Sequence, residues 1–190
     1  MSFVEEFFTE VVDVCNRIDK RQLEDLVKGL TELRDNHGRL FILGVGGSAA
    51  NASHASNDFR KLAGIEAYAP TDNVAEFTAR ANDEGWDSTF VGYLGASNLS
   101  KTDSLLILSV GGGDIEKKIS VNLCNAADYA KKRGCAIYSI SGRKEGYIQS
   151  LADIFVFVPI NVKNFITPLS ESFQALVWHL LVSHPQLKLN

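Results

Sequence analysis

No apolar run in this 190-residue chain approaches the roughly 18 residues that a bilayer-spanning helix needs, so no membrane partner is expected. A long basic run is also missing, and the net charge is −4. Nucleic acid is attracted by a basic face, and no direct nucleic-acid contact is expected here. Cysteine is scarce: Cys15, Cys124 and Cys135 make an odd number with no C-x-x-C spacing. Each lies in a segment that reads as helix or strand, so buried free thiols and a reducing compartment are expected. The opening residues, Ser2-Phe3-Val4-Glu5-Glu6, lack the basic start and apolar stretch of a secretory signal, and the expected location is cytoplasmic. There is no linker rich in proline or serine, no internal repeat and no low-complexity tract. The length suits one domain, spanning residues 1–190, and apolar residues make up 45%, which argues against disorder.

What is present falls into two patterns. Phe3, Val4, Phe7, Phe8, Val11, Val12, Val14 and Cys15 recur at helical spacing, as do Leu23, Leu26, Val27, Leu30 and Leu33. The first series carries more apolar residues than one buried stripe needs. Residues 1–37 are therefore read as oligomerisation helices. Asn36-His37-Gly38 ends the second helix, with Gly38 suited to the left-handed position. Short continuous apolar runs follow at 40–43, 105–108, 135–138 and 154–158, and such runs read as strands buried on both faces. Helical stretches are expected at about 48–63, 115–133, 145–152 and 169–183, on the logic that alternating strands and helices build a parallel sheet with helices on both sides.

Ligands of such a sheet sit beyond the C-terminal strand ends. The first strand ends in Gly44-Val45-Gly46-Gly47-Ser48 and leads into a helix, whose N-terminal N–H groups favour an anion. One such loop reads equally well as a tight turn without a ligand. It is neither a Walker loop, since no G-K-[ST] follows, nor the dinucleotide fingerprint, which needs a third glycine. A second loop of the same kind, Ser109-Val110-Gly111-Gly112-Gly113, points to the phosphate of a small molecule.

Taken in order, Gly44-x-Gly46-Gly47-Ser48, His54, Asn82-Asp83-x-Gly85 and the Ser109 loop resemble the bacterial phosphoheptose isomerases, a family of SIS proteins. The resemblance runs from the N-terminal helices to the last helix. It implies an α/β fold of about five parallel strands between helices, flavodoxin-like in its three layers. It also implies a homotetramer and an aldose–ketose isomerase that converts sedoheptulose 7-phosphate to a heptose 7-phosphate, usually with zinc.

Carried over by residue, the resemblance implies phosphate and substrate contacts at Gly46, Gly47, Ser48, Asn82, Asp83, Ser109, Gly111, Ser120 and Asn122. It implies zinc ligands at His54, Asp58, Glu171 and His179, with Asp58 and His179 as the acid/base pair. Several positions depart from the family pattern. Val45 replaces an Asn, Asp58 a Glu, Glu171 a Gln, Pro168 an Asp and Gly111 a Ser. The alignment preferred here treats Asp114–Ile119 as an insertion; the ungapped one puts Asp114 at a phosphate-binding Ser, where it would repel the ligand.

By themselves, His54 and Asp58 read as a helix-surface pair, and His179 in Leu176-Val177-Trp178-His179-Leu180-Leu181 as a core histidine. Together they make a zinc donor set. Eight helical residues rise about 12 Å, so either Glu171 precedes the helix proper, or one of Glu171 and His179 comes from a neighbouring subunit, or one of them is not a ligand. His37 and His184 read as structural. The competing reading is a non-catalytic module that binds a sugar phosphate or a protein such as a replication initiator.

Overall fold

The apolar runs become strands of one parallel sheet. In the computed structural model, which describes residues 1–189, β1 (Arg39–Leu43), β2 (Glu66–Tyr68), β3 (Ser104–Ser109), β4 (Ala136–Ser141) and β5 (Ile154–Phe157) lie in the order β2-β1-β3-β4-β5. Period-two alternation sends Leu40, Ile42, Leu106, Leu108 and Ile140 to one face and Phe41, Leu43, Leu105, Ile107 and Ile137 to the other. The first face is covered by α1 (Phe3–Arg17), α2 (Lys20–Asp35), α3 (Gly47–Ala63) and α7 (Ile166–Ser183). The second is covered by α4 (Val74–Asp83), α5 (Thr89–Ala96) and α6 (Val121–Lys132). This is the three-layer α/β architecture expected. No helix among the described residues is long and apolar enough to cross a membrane.

The strand order places the site. From β1 the chain crosses to β2 on one side, and β3 then pairs with β1 on the other. The loops after β1 and β3 thus diverge around a crevice, the switch point where open sheets take ligands. In register, Leu43 stands opposite Ile107 and Ser109 opposite Ser141, so the C-terminal loops of β1, β3 and β4 meet.

Several expectations need correction. The three-residue edge strand β2 and the helices α4 and α5 were not foreseen. The stretch at 115–133 is helical only from Val121, and 145–152 holds only a short 3-10 turn, Ile148–Ser150. Cys15 is exposed, while Cys124 and Cys135 are buried, where burial pushes both thiols up to about 11. The left-handed residue after α2 is His37, at φ 56°, not Gly38.

α1 is fastened to the segment leading into α7. The Arg17 guanidinium donates to Asn161 Oδ1 at 2.7 Å and to the Pro159 carbonyl, and the nearly buried Glu10 carboxylate accepts from the Asn161 N–H.

Candidate functional site

The first loop turns into α3 at Gly46, whose φ of 63° is open to glycine at little steric cost. No side chain caps α3, and the N–H groups of Gly47 and Ser48 have no acceptor among the described residues. The Ser48 side chain is nearly buried. A Cβ on Gly47 would meet the carboxylate of Glu171. Glu171 therefore sits against the N-terminus of α3, where the helix dipole favours an anion.

The crevice opens into a cavity of about 1290 Å³. Val45, Ser48, Ser109, Gly111, Ser120 and Arg143 are among its walls. Ser109 Oγ accepts from the Gly112 N–H at 3.0 Å, which leaves its hydroxyl proton free to donate. Ser120, the residue before α6, is held at φ 50°, a strained value for a residue with a side chain.

Asp114, the first residue of the inserted segment, lines the cavity as well. Its charge is matched. Lys117 Nζ lies 2.8 Å from Asp114 Oδ2, and the Lys117 N–H donates to Oδ1 at 2.9 Å. These bonds, the side-chain one first, hold the Asp114 carboxyl below its ordinary range, and the same pair raises Lys117. Backbone bonds between Asp114 and Ile119, at 2.9 and 2.8 Å, close the inserted segment into a turn at the cavity wall.

A second constellation lies further along α3. α7 packs across α3 over the small buried residues Ala52 and Ala55, and Asn51 Nδ2 donates to the Glu171 carbonyl at 2.9 Å and to Gln174 Oε1 at 3.2 Å. The contact brings His54, Asp58 and His179 together, with ligand atoms within 4.8 Å of one another. His54 Nε2 is 3.7 Å from Asp58 Oδ2. His179 Nδ1 is 2.8 Å from the Ala175 carbonyl. A carbonyl can only accept, so Nδ1 carries the proton and Nε2 keeps its lone pair for a ligand. The His54 ring stands 4.6 Å from that of Trp178 and 5.5 Å from that of His179. Two imidazoles and a carboxylate within this reach are a group that could hold a metal ion.

The other expected residues are placed elsewhere. Glu171 is inside α7, two helical turns before His179, and does not join the cluster within one chain. Asn82 and Asp83 are exposed at the end of α4 and bonded to each other at 2.7 Å. The anchor of α4 is Phe77, packed on Phe90 and Trp86, which leaves that end in solvent away from the cavity. Gly46 and Gly47 are exposed at the start of α3, and Asn122 is fully buried outside the cavity lining, its Nδ2 without a partner among the described residues. Sequence reasoning passed over Arg143 and Lys144, which face the cavity from the loop after β4. The signal was the third glycine-containing strand end, Ser141-Gly142, followed directly by two basic residues.

The comparisons with known proteins agree with this architecture. A family model described as SIS domain matches residues 6–142. The lincomycin biosynthesis protein LmbN of Streptomyces lincolnensis is 35% identical over 156 residues, covering 77% of this chain and 56% of LmbN. The phosphoheptose isomerase of Aliarcobacter butzleri is 30% identical over 167 residues, covering 84% of this chain and 85% of that enzyme. Among solved structures, phosphoheptose isomerase GmhA of Neisseria gonorrhoeae superposes with a TM-score of 0.79 at 23% identity, over 94% of this chain and 92% of that one. The chain belongs to the SIS-domain proteins and, within them, to the phosphoheptose isomerase family.

Proposed function

We propose that this chain is a sugar-phosphate aldose–ketose isomerase, with sedoheptulose 7-phosphate and the corresponding heptose 7-phosphate as the first candidate pair. The observation that carries the reading is the cluster of His54 and Asp58, on the helix α3 that starts at the hydroxyl-lined cavity, with His179 of the packed helix α7. Six residues separate Ser48 from His54, a rise of about 9 Å along α3, on the scale of a phosphorylated sugar chain. The relatives named phosphoheptose isomerase support the same substrate class.

In this reading Ser48, Ser109 and Ser120 donate to the phosphate, together with the free N–H groups at the start of α3. The proton leaves C1 of the ketose while O2 gains one, giving an enediol. Return of a proton to C2, with loss of the O1 proton, gives the aldose. Asp58 carries the carbon-bound proton, and His179 serves the oxygens. Zinc held by His54, Asp58 and His179 would polarise the carbonyl and, with Nε2 of His179 then a ligand, would take over from that imidazole at the oxygens. Glu171 reaches such an ion only from a neighbouring subunit, and a homotetramer built through residues 1–37 fits that need.

The test is solvent-deuterium incorporation into a panel of sugar phosphates, sedoheptulose 7-phosphate among them. Asp58→Asn should lower turnover by about 10²-fold or more with sugar-phosphate binding nearly intact, as for loss of a general base. Ser109→Ala should act through KM instead, because it touches the remote phosphate. Absence of any deuterium incorporation by the wild type would overturn the isomerase reading and leave the binding-module reading in its place.

A further inference from the structure

Gly111 stands where the resemblance sets a hydroxyl of the phosphate loop, so this cavity lacks a donor at that point. The space beside it is nearly open. A Cβ placed on Gly111 would meet only one neighbour, Arg143 Cδ, 4.0 Å away. The stem of Arg143 thus lies beside the volume that a side chain at 111 would enter.

The loop that carries Arg143 is tied down on both sides. The Gly142 N–H donates to the Val110 carbonyl at 3.2 Å, and the Arg143 N–H to Ser141 Oγ at 3.3 Å. Gln149 Nε2 donates to the Arg143 carbonyl and to Ser141 Oγ, each at 3.0 Å. The backbone at 143 is therefore fixed to the very loop that has lost its hydroxyl.

The guanidinium of Arg143, an exposed residue that lines the cavity, in contrast makes no hydrogen bond or ion pair with any described residue. The other cations of the wall are engaged. Lys117 is held by Asp114, and the Lys144 ammonium lies 5.4 Å from the centre of the Phe157 ring. Glu116 and Glu145 also face the cavity, and neither pairs with Arg143. A planar fork of five N–H donors in a polar strand-end cavity is suited to a phosphate dianion, which it can bind through two bonds at once.

We infer that Arg143 anchors the substrate phosphate, in the role that the hydroxyl missing at Gly111 would have had. The inference rests on the sugar-phosphate reading above. It makes this cavity select a phosphomonoester by charge as well as by hydroxyl and backbone donors.

Calorimetric titration of the full chain with inorganic phosphate, which cannot turn over, and with sedoheptulose 7-phosphate tests it. Arg143→Ala should weaken both by about 10- to 100-fold, the range for a hydrogen bond to a charged group. Arg143→Lys should recover part of the loss, since one ammonium lacks the fork. Gly111→Ser added to Arg143→Ala should also recover part, because it restores a hydroxyl beside the vacated stem. A merely structural role for Arg143 would not be rescued from position 111. Arg143→Gln, which keeps the stem, should melt like the wild type yet bind as weakly as the alanine variant.

Wild-type affinity in Arg143→Ala would overturn the inference alone, as would a loss that neither Arg143→Lys nor Gly111→Ser relieves. If the wild type binds neither probe, the sugar-phosphate reading falls and this inference with it.

Discussion

Asp103 is almost fully buried just before β3, and burial by itself would raise its carboxyl. The hydrogen bonds around it outweigh that effect. Arg39 grips both oxygens, Nε to Oδ1 at 3.0 Å and Nη2 to Oδ2 at 2.8 Å, and the Ser100 and Arg39 N–H groups add bonds of 2.8 and 3.1 Å. The carboxyl ends below its ordinary value. A folded pKa below the unfolded one stabilises the fold above the unfolded value, about pH 4, and that stabilisation is lost as pH falls through the folded value. Asp103→Asn should therefore flatten the acid limb of stability between about pH 4 and pH 2. It should also cost about 3 kcal/mol at neutral pH by leaving the Arg39 charge unmatched. Urea melts of the two proteins across that range check both effects. The pair lies at the N-terminal ends of β1 and β3, opposite the cavity, and nothing in the local sequence pairs residues 39 and 103. His54 and Asp58, by comparison, were legible because four-residue spacing on a helix is a local property.

At the level of elements, the end of α2 shows how a turn can be right in kind and wrong in residue. The His37 N–H donates to the Arg34 carbonyl at 2.9 Å and the Gly38 N–H to the Leu33 carbonyl at 2.9 Å, the paired bonds of a Schellman motif. The left-handed position in that motif belongs to His37, and Gly38 serves another need. A Cβ at 38 would drive into the Thr102 carbonyl and the Leu33 side chain. His37→Gly should relieve the left-handed strain and stabilise by about 1 kcal/mol. Gly38→Ala should destabilise by about 1–3 kcal/mol, the usual cost of overpacking. Thermal melts giving opposite signs for the two would bear this out; equal signs would refute it. The same contest between local pattern and tertiary contact explains the other misses. β2 spans three residues and has no periodicity to detect. The expected helix at 115–133 loses its first turns because Gly112 and Gly113 take φ of 75° and 77° and Asp114 bonds to Ile119. Runs 40–43 and 105–108 were legible because a strand covered on both faces admits only apolar residues.

At the scale of the whole molecule, the first face of the sheet leaves a surplus. Of the apolar residues on α1, Val14 is buried, and Phe7 and Val11 pack partly against the core. Phe3, Val4, Phe8 and Val12 stay 70%, 61%, 63% and 60% exposed. Leu176 and Leu180 on α7 are exposed as well, flanking His179 in sequence. A lone chain with this much apolar surface on one helix would be prone to association. Self-association is the expected outcome, because α1 is held rigidly through Arg17 and Glu10 and presents its apolar residues as a fixed surface. Light scattering at micromolar concentration should therefore report a multiple of 20.8 kDa, with a tetramer expected. Phe8→Glu with Val12→Glu puts two charges on the exposed stripe and leaves Phe7 and Val14 in the sequence, at the loss of the edge contact between the Phe7 and Phe8 rings. That double variant should fold with a near-native melt yet run as a smaller species. If Glu171 joins the His54, Asp58 and His179 cluster of a neighbour, the same variant should also lose zinc on dialysis faster than the wild type. A 20.8 kDa species for the wild type would remove the oligomer, and with it any shared role for Glu171.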